Sequence, residues 1–196
     1  MSLNKVSARV SAVAALLTLS LAVSAHAQVA RAANLSTITI DNFGRVNANY
    51  YRGAQPEGQD YADLKAFGIK TVIDLQEDFD ASEAPLVRQA GMKFFRIAMT
   101  TRETPSAEKV SQFLHLVNDP ANQPVYVHCA GGRHRTGVMT AVYRMTADRW
   151  TSDQAFAEMK QYKFGADFLH PEFKRFVYAY HPEPAAAAVT TLKAGT

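Results

Sequence analysis

One segment constrains this chain more than any other: Val125-Tyr126-Val127-His128-Cys129-Ala130-Gly131-Gly132-Arg133-His134-Arg135-Thr136-Gly137. Residues 125–128 form a short apolar run rich in valine, which reads as a buried strand. The run delivers a cysteine to its C-terminal end. A glycine-containing loop follows. A helical pattern over residues 136–149 then begins, with Val138, Ala141, Val142 and Met145 on one face. The C-terminal ends of strands are where open α/β sheets bind ligands.

Each residue type in this segment suits an anion. The amides of Ala130, Gly131, Gly132, Arg133 and His134 are expected to point inward as a nest. The start of the helix adds partial positive charge at the same place. Gly131 and Gly132 permit backbone angles and close approach that a Cβ would block. Arg135, six positions after Cys129, is expected to return its planar fork to two phosphate oxygens. The same field favours a thiolate at Cys129. A phosphoryl group and a nucleophile would then meet in one cradle. At average residue usage, His, Cys, Gly, Arg, Thr and Gly fall into this spacing by chance about once in 10⁷ positions.

The rest of the chain supplies a frame for that segment. Apolar runs at residues 36–40, 71–75 and 94–97 read as further strands. Helical patterns cover residues 58–67 and 82–90, each stopped by a glycine, and residues 106–117, set between Pro105 and Pro120. Two more are expected, one capped by Ser152 and running to about Gln161, the other over residues 171–180. Alternation of strands with helices predicts an α/β fold: a central, mostly parallel sheet of four to five strands flanked by helices. With 196 residues, 47% hydrophobic and 20% charged, the chain has room for one globular domain.

The termini carry different signals. Residues 1–27 read as a secretory signal peptide: Lys5 and Arg9, an apolar stretch over 10–23, then Ala25-His26-Ala27 as a small-x-small cleavage site. The stretch is short for a membrane span, which takes about 20 apolar residues. The expected division is signal peptide 1–27, a single domain 28–182 and a flexible C-terminal tail 183–196. Export points to a periplasm, with no stable membrane insertion after signal removal. The net charge of +3 falls to 19 basic against 18 acidic residues once Lys5 and Arg9 are removed. No basic stripe is visible, so nucleic acid is not an expected partner. Cys129 is the only cysteine, which excludes an internal disulfide and a multi-cysteine zinc site. In an oxidising compartment it is open to conversion to sulfenic acid; activity that survived peroxide would count against this.

His128-Cys129-x₅-Arg135-Thr136-Gly137 resembles the signature of the cysteine-based protein tyrosine and dual-specificity phosphatases. Tyr51-Arg52-Gly53-Ala54-Gln55-Pro56 is similar to the opening segment of their small atypical members. Gly68-Ile69-Lys70-Thr71-Val72-Ile73-Asp74-Leu75 is similar to the strand that follows. Val142-Tyr143-Arg144 and Trp150-Thr151-Ser152 through Met159 resemble the helices after the loop. Coverage runs over roughly residues 50–164, and the export signal fits the bacterial periplasmic branch. The resemblance implies a protein tyrosine phosphatase-like fold and a two-step reaction. Cys129 would attack phosphorus, and an acid on a neighbouring loop would protonate the leaving oxygen. Water would then release phosphate. The resemblance also implies that Thr136 helps the thiolate leave and that His128 positions the loop. It implies no metal and no organic cofactor.

The family usually supplies an Asp from the loop after the strand at 94–97. Here that loop reads Ala98-Met99-Thr100-Thr101-Arg102-Glu103-Thr104-Pro105. Glu103 is its one carboxylate and therefore the candidate acid, with Asp78 and Asp80 in reserve. Arg133 and His134 are expected on the loop exterior, Arg144 beside a carboxylate, and Phe164, Phe168, Phe173 and Phe176 in the core. His115, His170 and His181 read as isolated. The expected partner is a phosphorylated protein; an inositol phosphate or other small phosphoester is the alternative, and a non-catalytic phosphate-binding module the second. Rhodanese-like sulfur transfer also uses a cysteine loop, but Arg-Thr-Gly entering the helix disfavours it.

Overall fold

All four residues of Val125–His128 are buried, as a strand covered on both faces requires. The computed structural model describes residues 38–78 and 81–182. The expected signal peptide, the expected tail and Asp80 lie outside them. Among the described residues five strands form one sheet: β1 (Gly44–Arg45), β2 (Tyr50–Gly53), β3 (Thr71–Gln76), β4 (Lys93–Met99) and β5 (Val125–His128). Their order is β1-β2-β5-β3-β4. Only the β1–β2 pair is antiparallel. The described helices are α1 (Asp60–Phe67), α2 (Glu83–Gln89), α3 (Ala107–Asn118), α4 (Arg135–Ala147), α5 (Ser152–Gln161) and α6 (Pro171–Ala179).

The pleat divides β5 between two layers. Val125 and Val127 join the core cluster built with Phe113 of α3, Val138 and Val142 of α4, Ala155 and Met159 of α5, and Phe173 of α6. Tyr126 points the other way and stacks on Phe43, with ring centroids 5.9 Å apart. Central placement makes β5 rigid, so the residue after it is held to a fixed position.

The ends of the helices follow local chemistry. Gly68 takes φ +105° and closes α1 by donating to Leu64 O and Lys65 O. Ser106 caps α3, its side chain accepting from Lys109 N. The cap of α5 is Thr151, one residue before the expected Ser152. Thr151 Oγ1 accepts from Gln154 N at 3.3 Å, and Gln154 Oε1 accepts from Thr151 N at 2.9 Å, a reciprocal arrangement Ser152 could not make from inside the helix.

Two expectations are corrected, one about a strand and one about the core. Residues 38–40, the described part of the expected strand 36–40, pair with nothing in the sheet. Ile40 is buried there as a turn anchor, its carbonyl accepting from Phe43 N. The sheet edge is made instead by β1, whose two residues are too few to leave a periodic signal. Among the four phenylalanines expected in the core, Phe164 and Phe173 are fully buried and Phe176 packs on the cluster, but Phe168 is 79% exposed. It sits in the turn between α5 and α6, where no helical face carries it inward.

Candidate active site at the end of β5

Cys129 follows β5 directly and is 3% exposed. The loop from Cys129 to His134 leads into α4, whose first residues are Arg135 and Thr136. The loop is shaped by what holds its carbonyls. Ala130 O accepts from Gln55 N at 3.2 Å. Asn42 Nδ2 donates to Gly131 O at 3.3 Å and to Gly132 O at 2.9 Å. Arg52 Nη2 donates to Gly132 O at 2.8 Å. Three successive carbonyls are thus drawn outward to donors from the β1–β2 region. The amides of Ala130, Gly131, Arg133 and His134 donate to no other group among the described residues. Outward carbonyls with unspent amides are the condition for an anion nest, and the orphan amides of the first turn of α4 join them.

Gly132 is the residue that makes this wrap possible. Its φ is +63°, and a Cβ there would collide with the Gly53 carbonyl and lie 2.8 Å from Ala54 N. Gly131 has no such requirement: its nearest neighbour would be the flexible Arg133 side chain, at 3.3 Å. The structure therefore assigns to Gly132 alone the conformational freedom expected of both.

Arg135 is 5% exposed, and its Nη1 donates to Asp78 Oδ1 at 2.8 Å and to Met99 O at 3.1 Å. It opens onto a cleft of about 260 Å³ lined also by Glu77, Asp78, Thr100, Thr101 and Arg102. Cys129 is not among the residues that line that cleft. Thr136 is fully buried, and its hydroxyl has no hydrogen-bond partner among the described residues. The guanidinium of Arg135 holds the Asp78 carboxyl below the usual carboxylate range. Asp78, a reserve candidate for the acid, is therefore the carboxylate brought to Arg135, and it is held ionised. Glu103 is exposed and lies in an adjoining hollow with Thr100, Thr104 and Lys109, outside the cleft.

The flanking residues have defined places. Arg133 is on the exterior, 3.6 Å from Asp41 and about half exposed. His134 is tucked in: Nε2 lies 3.0 Å from Phe164 O, and the ring is 3.9 Å from that of His170. Burial, then His170, lowers the pKa of His134. His170 is not isolated, since Nδ1 also lies 3.2 Å from Thr101 O. Arg144 pairs with Glu158 at 2.6 Å and Asp148 at 2.7 Å. His128 is fully buried with Nε2 2.9 Å from Glu83 Oε1. Asp74 lies close to that pair, but it already accepts from Arg96 at 2.8 Å. The three form an internal polar cluster that joins α2 and β3 to the strand below Cys129.

Three residues at the site went unassigned in the sequence: Asn42, Gln55 and Arg52. The available signal was Arg52, a charge inside the otherwise apolar stretch of β2.

Comparison with known proteins places this arrangement. Residues 22–174 match the family model "DSP-PTPase phosphatase fused to NAD+ Kinase". The dual specificity protein phosphatase TpbA of Pseudomonas aeruginosa is 30% identical over 124 residues, covering 63% of this chain and 56% of TpbA. The inositol diphosphatase SIW14 of Saccharomyces cerevisiae is 26% identical over 137 residues, covering 67% of this chain and 48% of SIW14. The chain thus spans about half the length of these curated relatives. The crystal structure of P. aeruginosa TpbA superposes with a TM-score of 0.62 at 27% identity, over 72% of this chain and 86% of that one. The catalytic core of S. cerevisiae SIW14 superposes with a TM-score of 0.66 at 22% identity, over 78% and 93%; at that identity the likeness is one of fold. The chain belongs to the cysteine-based protein tyrosine and dual-specificity phosphatase superfamily.

Proposed function

We propose that this chain hydrolyses phosphomonoesters through a phosphocysteine intermediate and that phosphotyrosine or another phosphorylated side chain of a protein is its substrate. The observation that carries the reading is the turning of the Ala130, Gly131 and Gly132 carbonyls away from the loop interior. It leaves the amides of Ala130, Gly131, Arg133 and His134, in the loop that follows Cys129, without acceptors among the described residues, and such donors suit the three equatorial oxygens of a phosphoryl group in transfer.

The Cys129 thiolate attacks phosphorus; an S–P bond forms and the P–O bond to the leaving group breaks. The leaving oxygen takes a proton from Glu103. Water then attacks the phosphocysteine, giving its proton to the Glu103 carboxylate. The S–P bond breaks, inorganic phosphate departs and Thr136 supports the returning thiolate. Glu103 is preferred to Asp78 because the Asp78 carboxylate is engaged by Arg135 Nη1 at 2.8 Å. Glu103 stands on the same loop as Thr100, Thr101 and Arg102, which line the cleft.

A second reading is favoured by one observation. The loop at residues 98–105 has no Asp, and Glu103 lies outside the cleft. A phosphoanhydride leaves as a stabilised anion and needs no proton, so a diphosphorylated inositol, the substrate class in the name of SIW14, would suit a site without an acid. The deciding experiment is a substrate panel of phosphotyrosine peptides, phosphoserine peptides and inositol phosphates with and without a diphosphate group. Wild type and Cys129→Ser are compared. Turnover of phosphopeptides that is lost in Cys129→Ser supports the first reading; turnover confined to diphosphate groups selects the second. Turnover that survives Cys129→Ser removes both.

Export completes the proposal: cleavage after Ala27 would leave a mature periplasmic protein of residues 28–196 with Gln28 first. Mass spectrometry of the secreted chain is expected to show that N-terminus, and a product that keeps Met1 would overturn it.

A further inference from the structure

Arg52 is fully buried. Nη2 donates to Gly132 O at 2.8 Å, and the guanidinium lies over the Tyr162 ring, 4.0 Å from its centroid. A Cβ built on Gly137 would fall 3.9 Å from Nη2. The charge is therefore wedged between the loop, the first turn of α4 and Tyr162. Its other nitrogens, Nε and Nη1, have no hydrogen-bond acceptor among the described residues. No carboxylate there lies within ion-pair distance of it, and Glu158, the acidic group whose charge it senses, is taken by Arg144 at 2.6 Å. The titratable groups around it are Tyr50, Glu158, Tyr162 and Cys129.

A buried cation without a counter-ion is costly, and an apolar side chain of similar size usually serves stability as well or better. Holding Gly132 does not require it, because Asn42 Nδ2 already donates to the same carbonyl at 2.9 Å. The feature that a guanidinium adds here is positive charge behind an anion-binding loop: burial lowers its pKa, but a guanidinium starts high enough to stay charged. Arg135 meets the phosphate from the cleft side; Arg52 acts through the loop without touching substrate.

We infer that Arg52 is a positioning residue and the second cation of the site, stabilising from behind the loop the negative charge of the Cys129 thiolate and of bound phosphate. The inference rests on the phosphatase reading above and deepens it. Its test reads the thiol directly. Cys129 is the only cysteine, so iodoacetamide alkylation followed against pH reports that sulfur alone. Arg52→Met is expected to slow alkylation roughly tenfold at about pH 6 and to leave the rate at about pH 9 unchanged. Arg52→Lys, which keeps the charge, is expected to stay within about threefold of wild type at both. Inorganic phosphate should protect wild type and Arg52→Lys from alkylation at concentrations that leave Arg52→Met exposed.

A pH profile of Arg52→Met that superposes on wild type overturns the inference. Should Arg52→Met fail to fold by circular dichroism, Arg52→Gln, also neutral but able to donate to Gly132 O, carries the same expectation and the same refutation. Unfolding of both neutral variants while Arg52→Lys stays folded also overturns it, since the charge would then serve the fold. The two proposals fail separately: turnover in Cys129→Ser defeats the phosphatase reading, whereas an unchanged alkylation profile defeats the role of Arg52 alone.

Discussion

Asp78 accepts a hydrogen bond from Nη1 of Arg135 at 2.8 Å while its own side chain is 81% exposed. The pair joins a buried guanidinium to a surface carboxylate at the mouth of the cleft. A phosphate that binds in the loop needs the same guanidinium fork, so Asp78 competes with it. With its carboxylate in water the pair is screened and contributes on the scale of a surface ion pair, about 0.2–1 kcal/mol, and its loss on phosphate binding should be felt on that scale. Asp78→Asn is expected to tighten competitive inhibition by inorganic phosphate about two- to fivefold. Weaker inhibition in Asp78→Asn would mean that the carboxylate orients Arg135 rather than occupying it.

Proton donation from Glu103 predicts a dependence on the leaving group. Phenyl phosphate releases a basic phenoxide and needs the proton; p-nitrophenyl phosphate releases a stabilised one and does not. Glu103→Gln is expected to lower kcat/KM for phenyl phosphate by about 10²-fold or more, in the range of general acid catalysis. For p-nitrophenyl phosphate the loss should stay within about threefold, because little leaving-group protonation is needed. Equal losses on both esters would show that Glu103 acts in binding or in holding its loop.

The two glycines of the loop are expected to respond differently to one added methyl. Gly132→Ala must relieve both φ +63° and the collision with the Gly53 backbone. A cost of about 1–3 kcal/mol is expected for the strained backbone alone, together with loss of phosphate binding as the loop shifts. Gly131→Ala meets only a side chain that can move, and its unfolding free energy from urea titration should stay within about 0.5 kcal/mol of wild type. Similar losses at the two positions would show that the loop is not held by the Gly132–Gly53 approach.

The contrast between those glycines marks what sequence reading could reach. Cys129, Arg135 and Thr136 were legible because strand, loop and helix are contiguous, and local spacing encodes their geometry. The parallel pairing of β3, β4 and β5 followed from alternation with helices, whereas β2, four residues long, was not read as a strand. The outer brace of the loop was not legible. Asn42 and Arg52 reach Gly132 across 90 and 80 residues of chain, and no periodicity records such a contact. The same holds for His170, whose sequence neighbours give no sign of the His134 ring 3.9 Å away. Arg135 shows the other limit: spacing named its phosphate role but could not show that Asp78 occupies its Nη1 in the free protein.

The His134–His170 contact makes the stability of this corner depend on pH. His134 is half-buried against Phe164, with His170, Arg133 and Arg135 as its charged or titratable neighbours. Burial comes first and His170 second in lowering its pKa, and the bond to the Phe164 carbonyl opposes them. With a folded pKa below the ordinary value of about 6.5, the unfolded chain binds the proton more readily than the folded one. Stability from this residue is therefore full above about pH 6.5 and is lost as the pH falls through the folded value. Urea midpoints of wild type should drop between about pH 7 and pH 5, and His134→Gln should drop less over the same interval. The tuck of His134 places the C-terminal end of the loop, so phosphate binding should weaken along with it. A wild-type midpoint that declines no faster than that of His134→Gln would mean that the imidazole stays neutral, or free to leave its pocket, across the whole range.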